Sequence, residues 1–354
     1  MAALATAGCA TSGGVGTDTN GNPPGANGGS AAVALTGAGS TFDWPLFDAM
    51  FKEYQESHPV TVNYQAIGSG GGQKALFDGT VQFAASDAFL SDEQMKDHPD
   101  VVHIPITIGA VSVGYNLPGV DNLRLTGPVL ADIYLGKIKK WNDPAIAAIN
   151  PGVRLPDLPV VPVYRSDGSG TSFIFTNYLK AVSPEWASKV GAGTSVQWPA
   201  GLGGKGSNGV AGQVTQTPGA IGYFEMAYAV ENHIAQATLQ NHDGQWVQPS
   251  TEGAAAAAAG AAKSMPADLR KVLIVDAPGE KSYPISGFSW VLVSRDLKDT
   301  PQNRELVKLL WWMVHDGQKH AEPLHYAPLP EEVVKLDEAQ LRGLGAGGTS
   351  LLGK

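Results

Sequence analysis

Val160-Val161-Pro162-Val163-Tyr164-Arg165-Ser166-Asp167-Gly168-Ser169-Gly170-Thr171-Ser172 passes from a short apolar run into a turn of glycines and hydroxyls. Phe173–Leu179 then reads as a helix. The apolar run predicts a strand, although Pro162 argues against an interior position in a sheet. The same unit occurs twice earlier. Gly37-Ala38-Gly39-Ser40-Thr41-Phe42 follows the apolar Val33–Thr36. It precedes a segment in which Trp44, Phe47, Phe51 and Tyr54 recur at helical spacing, with Pro45 suited to a first helical turn. Gly68-Ser69-Gly70-Gly71-Gly72 follows Val60, Val62 and Tyr64, which alternate with polar residues as in a strand, and precedes a predicted helix around Lys74–Asp78. Val81–Ala85 reads as a further strand ending at Ser86-Asp87. Repeated strand–turn–helix units predict α/β architecture with mostly parallel strands, and open sheets of that kind place ligands at the carboxyl ends of their strands. A helix start presents unpaired N–H groups and the positive end of its dipole, and glycine lets backbone approach a ligand closely. Three such turns predict one cleft built for a small oxyanion.

The 354 residues are long enough for two domains with cores of their own. The net charge of −9 argues against nucleic acid and anionic membrane surfaces as partners. An anionic ligand must therefore be held by local dipoles in a specific cleft. No apolar run reaches the roughly 18 residues a membrane span requires. The single cysteine, Cys9, excludes an internal disulfide, and His315, His320 and His325 lie five apart without an HExxH pattern, so no metal or cofactor is expected. Gly201–Gly206 contains Gly-Lys but lacks the following Ser or Thr of a nucleotide-binding loop. Residues 1–9, with small residues before the lone cysteine, read as a partial lipoprotein signal, with Cys9 as the lipidation site. Residues 10–32 are Gly, Ser, Thr, Asn and Pro with almost no large apolar group, the composition of a flexible tether. Val101–Tyr115 is a long apolar stretch that could carry the chain into a second domain, and Pro284–Val293 could bring it back. Val129–Leu135, Ala254–Ala262 and Leu306–Val314 read as helices.

Each candidate site residue has a plainer reading beside the functional one. Ser40 and Thr41 could simply cap a helix. Ser69 stands among four glycines whose flexibility costs folding entropy, which close approach to a ligand would justify. Arg165 could pair bidentately with an oxyanion, form a salt bridge to Asp167, or do both, with Asp167 holding the fork in place. Asp87 could be a turn residue. Beside an anion it fits only a ligand with a proton to donate, which phosphate has and sulfate at neutral pH lacks.

At these residues the chain resembles the periplasmic phosphate-binding proteins of the phosphate-specific ABC transporter, from about Leu35 to Glu331. The resemblance rests on Leu35–Phe42, Ala66–Gly72, Ala85–Ala88 with Leu90–Asp92, Asp132–Trp141, Arg165–Phe173, Gly201–Gly206 and Pro218–Tyr223. It implies a two-domain type II clamshell, each domain a mixed, mostly parallel sheet flanked by helices, with the ligand in the cleft. Residues 33–108 and 284–354 would form one domain and 109–283 the other. Carried over residue by residue, Thr41, Phe42, Ser69, Ser169, Gly170 and Thr171 would donate to phosphate, Arg165 would pair with its oxygens and Asp87 would accept its proton. Ser40 and Gly70 stand where the family often has Ala and Ser. The resemblance further implies delivery of phosphate to membrane permease subunits, a location in the periplasm or cell envelope, and a monomer without enzymatic activity. Competing readings are a phosphoester hydrolase, disfavoured by the lack of a Gly-x-Ser-x-Gly and of an evident histidine base, a binder of sulfate, molybdate, arsenate or another oxyanion, and a surface or adhesion protein that keeps the fold.

Overall fold

The structure, a computed structural model, describes residues 33–353. The expectations for residues 1–9, Cys9 among them, and for the 10–32 tether lie outside the described residues. In chain order the strands are β1 (Val33–Gly39), β2 (Val60–Ala66), β3 (Phe83–Ser86), β4 (Val101–Tyr115), β5 (Arg124–Leu125), β6 (Val161–Arg165), β7 (Leu202–Gly204), β8 (Ala220–Glu225), β9 (Ala235–Gln236), β10 (Thr238–Gln240), β11 (Trp246–Val247) and β12 (Ser286–Ser294). Nine of them form one sheet in the order β2-β1-β3-β12-β4-β8-β6-β7, with β9 beside β4, while β11-β10-β5 make a small second sheet.

The apolar stretch Val101–Tyr115 is a single strand, buried at every residue, as expected of a strand covered on both faces. Along Val101–Ala110 it pairs antiparallel with β12, and along Val111–Tyr115 it pairs antiparallel with β8. β4 is thus common to two groups of parallel strands, β2-β1-β3 on one side and β8-β6-β7 on the other. The antiparallel pairings fall where β4 and β12 join the halves. β6 accommodates Pro162 because neighbouring residues of a strand point their N–H groups to opposite sides. Val161 donates to Gly219 on the β8 side, so the missing N–H of Pro162 faces the side where β7 begins only opposite Val163.

The helix Trp44–Ser57 buries Phe47, Phe51 and Tyr54 of the stripe its spacing predicted, together with Leu46 and Met50, while Trp44 is only half-buried; Pro45 lies in its first turn. The other two turns enter their helices earlier than expected. The second helix is Ser69–Phe77, so Gly70, Gly71 and Gly72 lie within its first turn. Low helix propensity suggested a loop, but close packing overrides it: a Cβ on Gly72 would stand 2.4 Å from Gly39 Cα. Gly70 and Gly72 pack against the backbone of Gly168 and Gly39, while Gly71 packs against the Ile67 side chain. The third helix is Gly170–Val182, capped by Ser169, whose Oγ accepts from Ser172 N at 3.0 Å. No helix among the described residues is long and apolar enough to cross a membrane.

Candidate functional site

β1, β2, β3, β6 and β7 bring their carboxyl ends together, and four of the five continue into a helix after at most a short turn. Arg165 is the last residue of β6 and is buried. Its Nε donates to Asp167 Oδ1 at 2.8 Å and its Nη2 to Asp167 Oδ2 at 2.5 Å. Asp167 therefore holds one edge of the fork, as the sequence suggested. Burial raises the Asp167 carboxyl, but the hydrogen bonds and charge of Arg165 outweigh it and keep the group below its usual range. Among the described residues the remaining edge, Nη1, has only long contacts of 3.4 Å to Thr171 Oγ1 and Ser207 Oγ. Such an edge is free to take an oxyanion with stronger, charge-assisted bonds.

Asp87 follows β3 and is buried. Its Oδ1 accepts from Ser40 Oγ at 2.6 Å and lies 2.8 Å from Ser289 Oγ. Its Oδ2 stands beside the Gly170 helix start and Ser69, where a Cβ on Gly170 would meet it at 2.6 Å and Ser69 Oγ at 2.5 Å. Burial pushes the carboxyl up to about 6, while the hydroxyls of Ser40, Ser289 and Ser69 and the charge of Arg165 pull it down. One oxygen is thus saturated by the protein and the other is turned toward the Gly170 helix start.

Ser69 Oγ links the two halves by accepting from Asp87 N at 3.2 Å and from Gly170 N at 3.1 Å. With both acceptor positions engaged, its proton points to an acceptor, and the Asp87 carboxyl is the one it acts on. Gly170 admits this contact because a Cβ there would lie 2.5 Å from Ser69 Oγ. Among the described residues the Thr171 N–H has no partner, so the third helix start keeps a donor. Thr41 Oγ1 accepts from Ser207 N at 3.1 Å and lies 2.9 Å from Ser207 Oγ.

Three tyrosines orient the first turn by donating to its successive carbonyls. Tyr64 bonds Ser40 O at 2.9 Å, Tyr228 bonds Thr41 O, and Tyr326 bonds Phe42 O at 2.5 Å. With the carbonyls pinned, the amides face the other way. The Thr41 N–H has no described partner, whereas the Phe42 N–H turns back onto Ser40 Oγ at 3.0 Å. The structure therefore connects Thr41, Ser69, Asp87, Arg165, Gly170 and Thr171 in one chain of contacts. It gives Ser169 a capping bond and Phe42 an internal one. Sequence reasoning missed Ser207, Ser289 and the three tyrosines, and it set Ser40 aside. Ser207 alone had a signal, since Gly201–Gly206 is a fourth glycine turn between strand and helix.

This architecture is that of the PBP superfamily, whose domain model matches residues 24–316. A phosphate-binding protein PstS of Xylella fastidiosa is 45 % identical over 328 residues, covering 92 % of this chain and 90 % of that protein. PstS proteins of Haemophilus influenzae and Methanocaldococcus jannaschii are 42 % and 37 % identical, covering 87 % and 86 % of this chain and 92 % and 85 % of their own lengths. The chain belongs to the PstS family of phosphate-binding proteins. Among solved structures, a putative phosphate ABC transporter substrate-binding protein of Clostridium perfringens with bound phosphate has a TM-score of 0.62 at 20 % identity, covering 84 % of this chain and 100 % of that one. A phosphate-binding protein of Stenotrophomonas maltophilia has a TM-score of 0.67 at 20 % identity, covering 90 % and 99 %. At that identity the structures speak for the fold alone.

Proposed function

We propose that this protein binds one inorganic phosphate between the two halves of its sheet and delivers it to the permease of a phosphate ABC importer. The observation that carries the reading is the pairing of Arg165, with one edge of its fork held only by long contacts, and Asp87, with Oδ2 turned toward the Gly170 helix start. A cation and a proton acceptor side by side suit an anion that still carries a proton. Thr41 and Thr171 supply neutral N–H donors and Ser169 its hydroxyl, while the Ser69 hydroxyl and the N–H groups of Phe42 and Gly170 contribute by sharing the bonds they make within the protein. Residues 33–108 with 284–354 and residues 109–283 act as lobes that close on the ligand, with β4 and the approach to β12 as the crossovers. The protein acts as a receptor without turnover or cofactor, works as a monomer in the periplasm or cell envelope, and is tethered there through a lipid on Cys9.

Calorimetric titration near neutral pH, on protein stripped of bound ligand, tests this directly. Tight one-to-one phosphate binding without a sulfate signal is expected, and absence of phosphate binding overturns the reading. Closure supplies a further check. Gly170→Ala puts a methyl 2.5 Å from Ser69 Oγ and 2.6 Å from Asp87 Oδ2. Overpacking of about 1–3 kcal/mol should weaken phosphate roughly 10- to 100-fold. Because the clash is relieved by incomplete closure, the thermal midpoint without ligand should change little in the same preparation.

A further inference from the structure

Two buried carboxyl groups share one hydroxyl beneath the first turn. Ser289 Oγ, on β12, lies 2.6 Å from Asp43 Oδ2 and 2.8 Å from Asp87 Oδ1, and all three residues are buried. A serine hydroxyl has one proton to give. It can donate to one carboxyl and must accept from the other, which is possible only if that other group is protonated. If both were ionised, one short contact would set oxygen lone pairs against each other in a dry site.

The surroundings decide where the proton sits. Asp87 is the better supported anion, with Ser40 donating to the same oxygen and Arg165 acting on it. Asp43 Oδ1 is buried with no hydrogen-bond partner. Asp43 precedes the helix Trp44–Ser57, yet its side chain makes no capping bond, which an ionised aspartate at that position would favour. The titratable groups around it are Asp87 after β3, Glu225 at the end of β8, Tyr64 on β2, Tyr228 and Tyr326, none of which offers a positive charge. Burial and the Asp87 charge raise the Asp43 carboxyl well above its usual range, against the hydrogen bonds of Ser289 and Ser40.

We propose that Asp43 keeps a resident proton and donates it to Ser289, which fixes the Ser289 hydroxyl as a donor to Asp87 and makes Asp43 and Ser289 positioning residues for the proton acceptor. The order is Asp43 Oδ2–H to Ser289 Oγ, then Ser289 Oγ–H to Asp87 Oδ1. No proton is transferred. The consequence is that Asp87 Oδ1 is filled from within the protein, so its ionised Oδ2 is the oxygen left for the proton of phosphate. This rests on the reading of Asp87 as that acceptor.

Infrared spectroscopy of the stripped protein at neutral pH, combined with phosphate titrations across pH, tests the proposal. Asp43→Asn should remove one carbonyl band of a protonated carboxylic acid. It should weaken phosphate about two- to threefold, because an amide is a poorer donor to Ser289 than an acid. Ser289→Ala should shift that same band, which loses its acceptor, and raise the acid limb of phosphate binding by about one pH unit. Ser289→Thr, which keeps the hydroxyl, should restore both. If Asp43 is ionised, no acid band is lost in Asp43→Asn and phosphate binds about tenfold or more tightly because a buried negative charge has gone; either result overturns the proposal. Should Asp43→Asn fail to fold, an unshifted acid band in Ser289→Ala overturns it instead. Failure of the Asp87 reading is seen separately, as unchanged sulfate rejection in Asp87→Asn with the Asp43 band intact.

Discussion

Arg165→Ala is expected to abolish measurable phosphate binding, weakening it by about 10³-fold or more, since breaking one partner of a buried charge pair costs about 3–5 kcal/mol. The guanidinium supplies the positive charge that contacts the site hydroxyls of Thr171 and Ser207. In a chain of net charge −9 its loss removes a buried positive charge from the site. Its removal also frees Asp167, whose two oxygens it holds at 2.8 and 2.5 Å. That carboxylate then stands as an unpaired negative charge beside the cleft. Asp167→Ala should weaken phosphate by only about tenfold, because the fork loses its support but keeps its charge. Arg165→Lys should fall between them, since an ammonium cannot hold Asp167 bidentately and still present a second edge. Calorimetry of the three variants gives the order directly. Equal effects from Arg165→Ala and Asp167→Ala would show that the pair matters as a structural unit and not as a cation with its support.

The turns were legible because each is written in adjacent residues. Gly39-Ser40-Thr41, Gly68-Ser69-Gly70 and Gly168-Ser169-Gly170 each encode a local change of direction, and the apolar run before each encodes a strand. Arg165 and Asp167 were also legible as a pair, being two residues apart. What surrounds Asp87 was not. Ser289, 202 residues away, reaches it from β12, within a run that reads as apolar from sequence. Asp43 sits where any helix takes a cap, so nothing local marks its side chain as turned toward Ser289. Tyr64, Tyr228 and Tyr326 come from three distant segments, and their role appears only when the first turn has carbonyls to be pinned. The glycines of the second turn misled for a related reason. Propensity counts the cost of glycine in a helix, but not the approach of Gly72 to Gly39 that makes a larger residue impossible.

Asp87→Asn should narrow the preference for phosphate over sulfate by about 10²-fold or more, a loss of roughly 3 kcal/mol of discrimination built from an unpaired proton on one side and a relieved repulsion on the other. In the unsubstituted protein Asp87 Oδ2 is the carboxylate oxygen turned toward the Gly170 helix start, an acceptor that suits a ligand bringing a proton to it. Sulfate brings none and sets its own oxygens against a carboxylate in a dry site. An asparagine amide reverses this, because Nδ2 can donate to sulfate while the phosphate proton loses its ionised acceptor. The same group sets a pH limb. Burial raises the Asp87 carboxyl to about 6 in the free protein, and a hydrogen bond from phosphate favours the ionised form and so lowers it on binding. Linkage then requires the affinity to be fully developed above that range and to fall as pH drops through about 6, with proton release on binding at the acid end. The limb should disappear in Asp87→Asn, apart from the titration of phosphate itself. Titrations of phosphate and sulfate at several pH values read both effects at once. An unchanged phosphate-to-sulfate ratio in Asp87→Asn would refute the proton-acceptor account, whatever the affinity for phosphate alone.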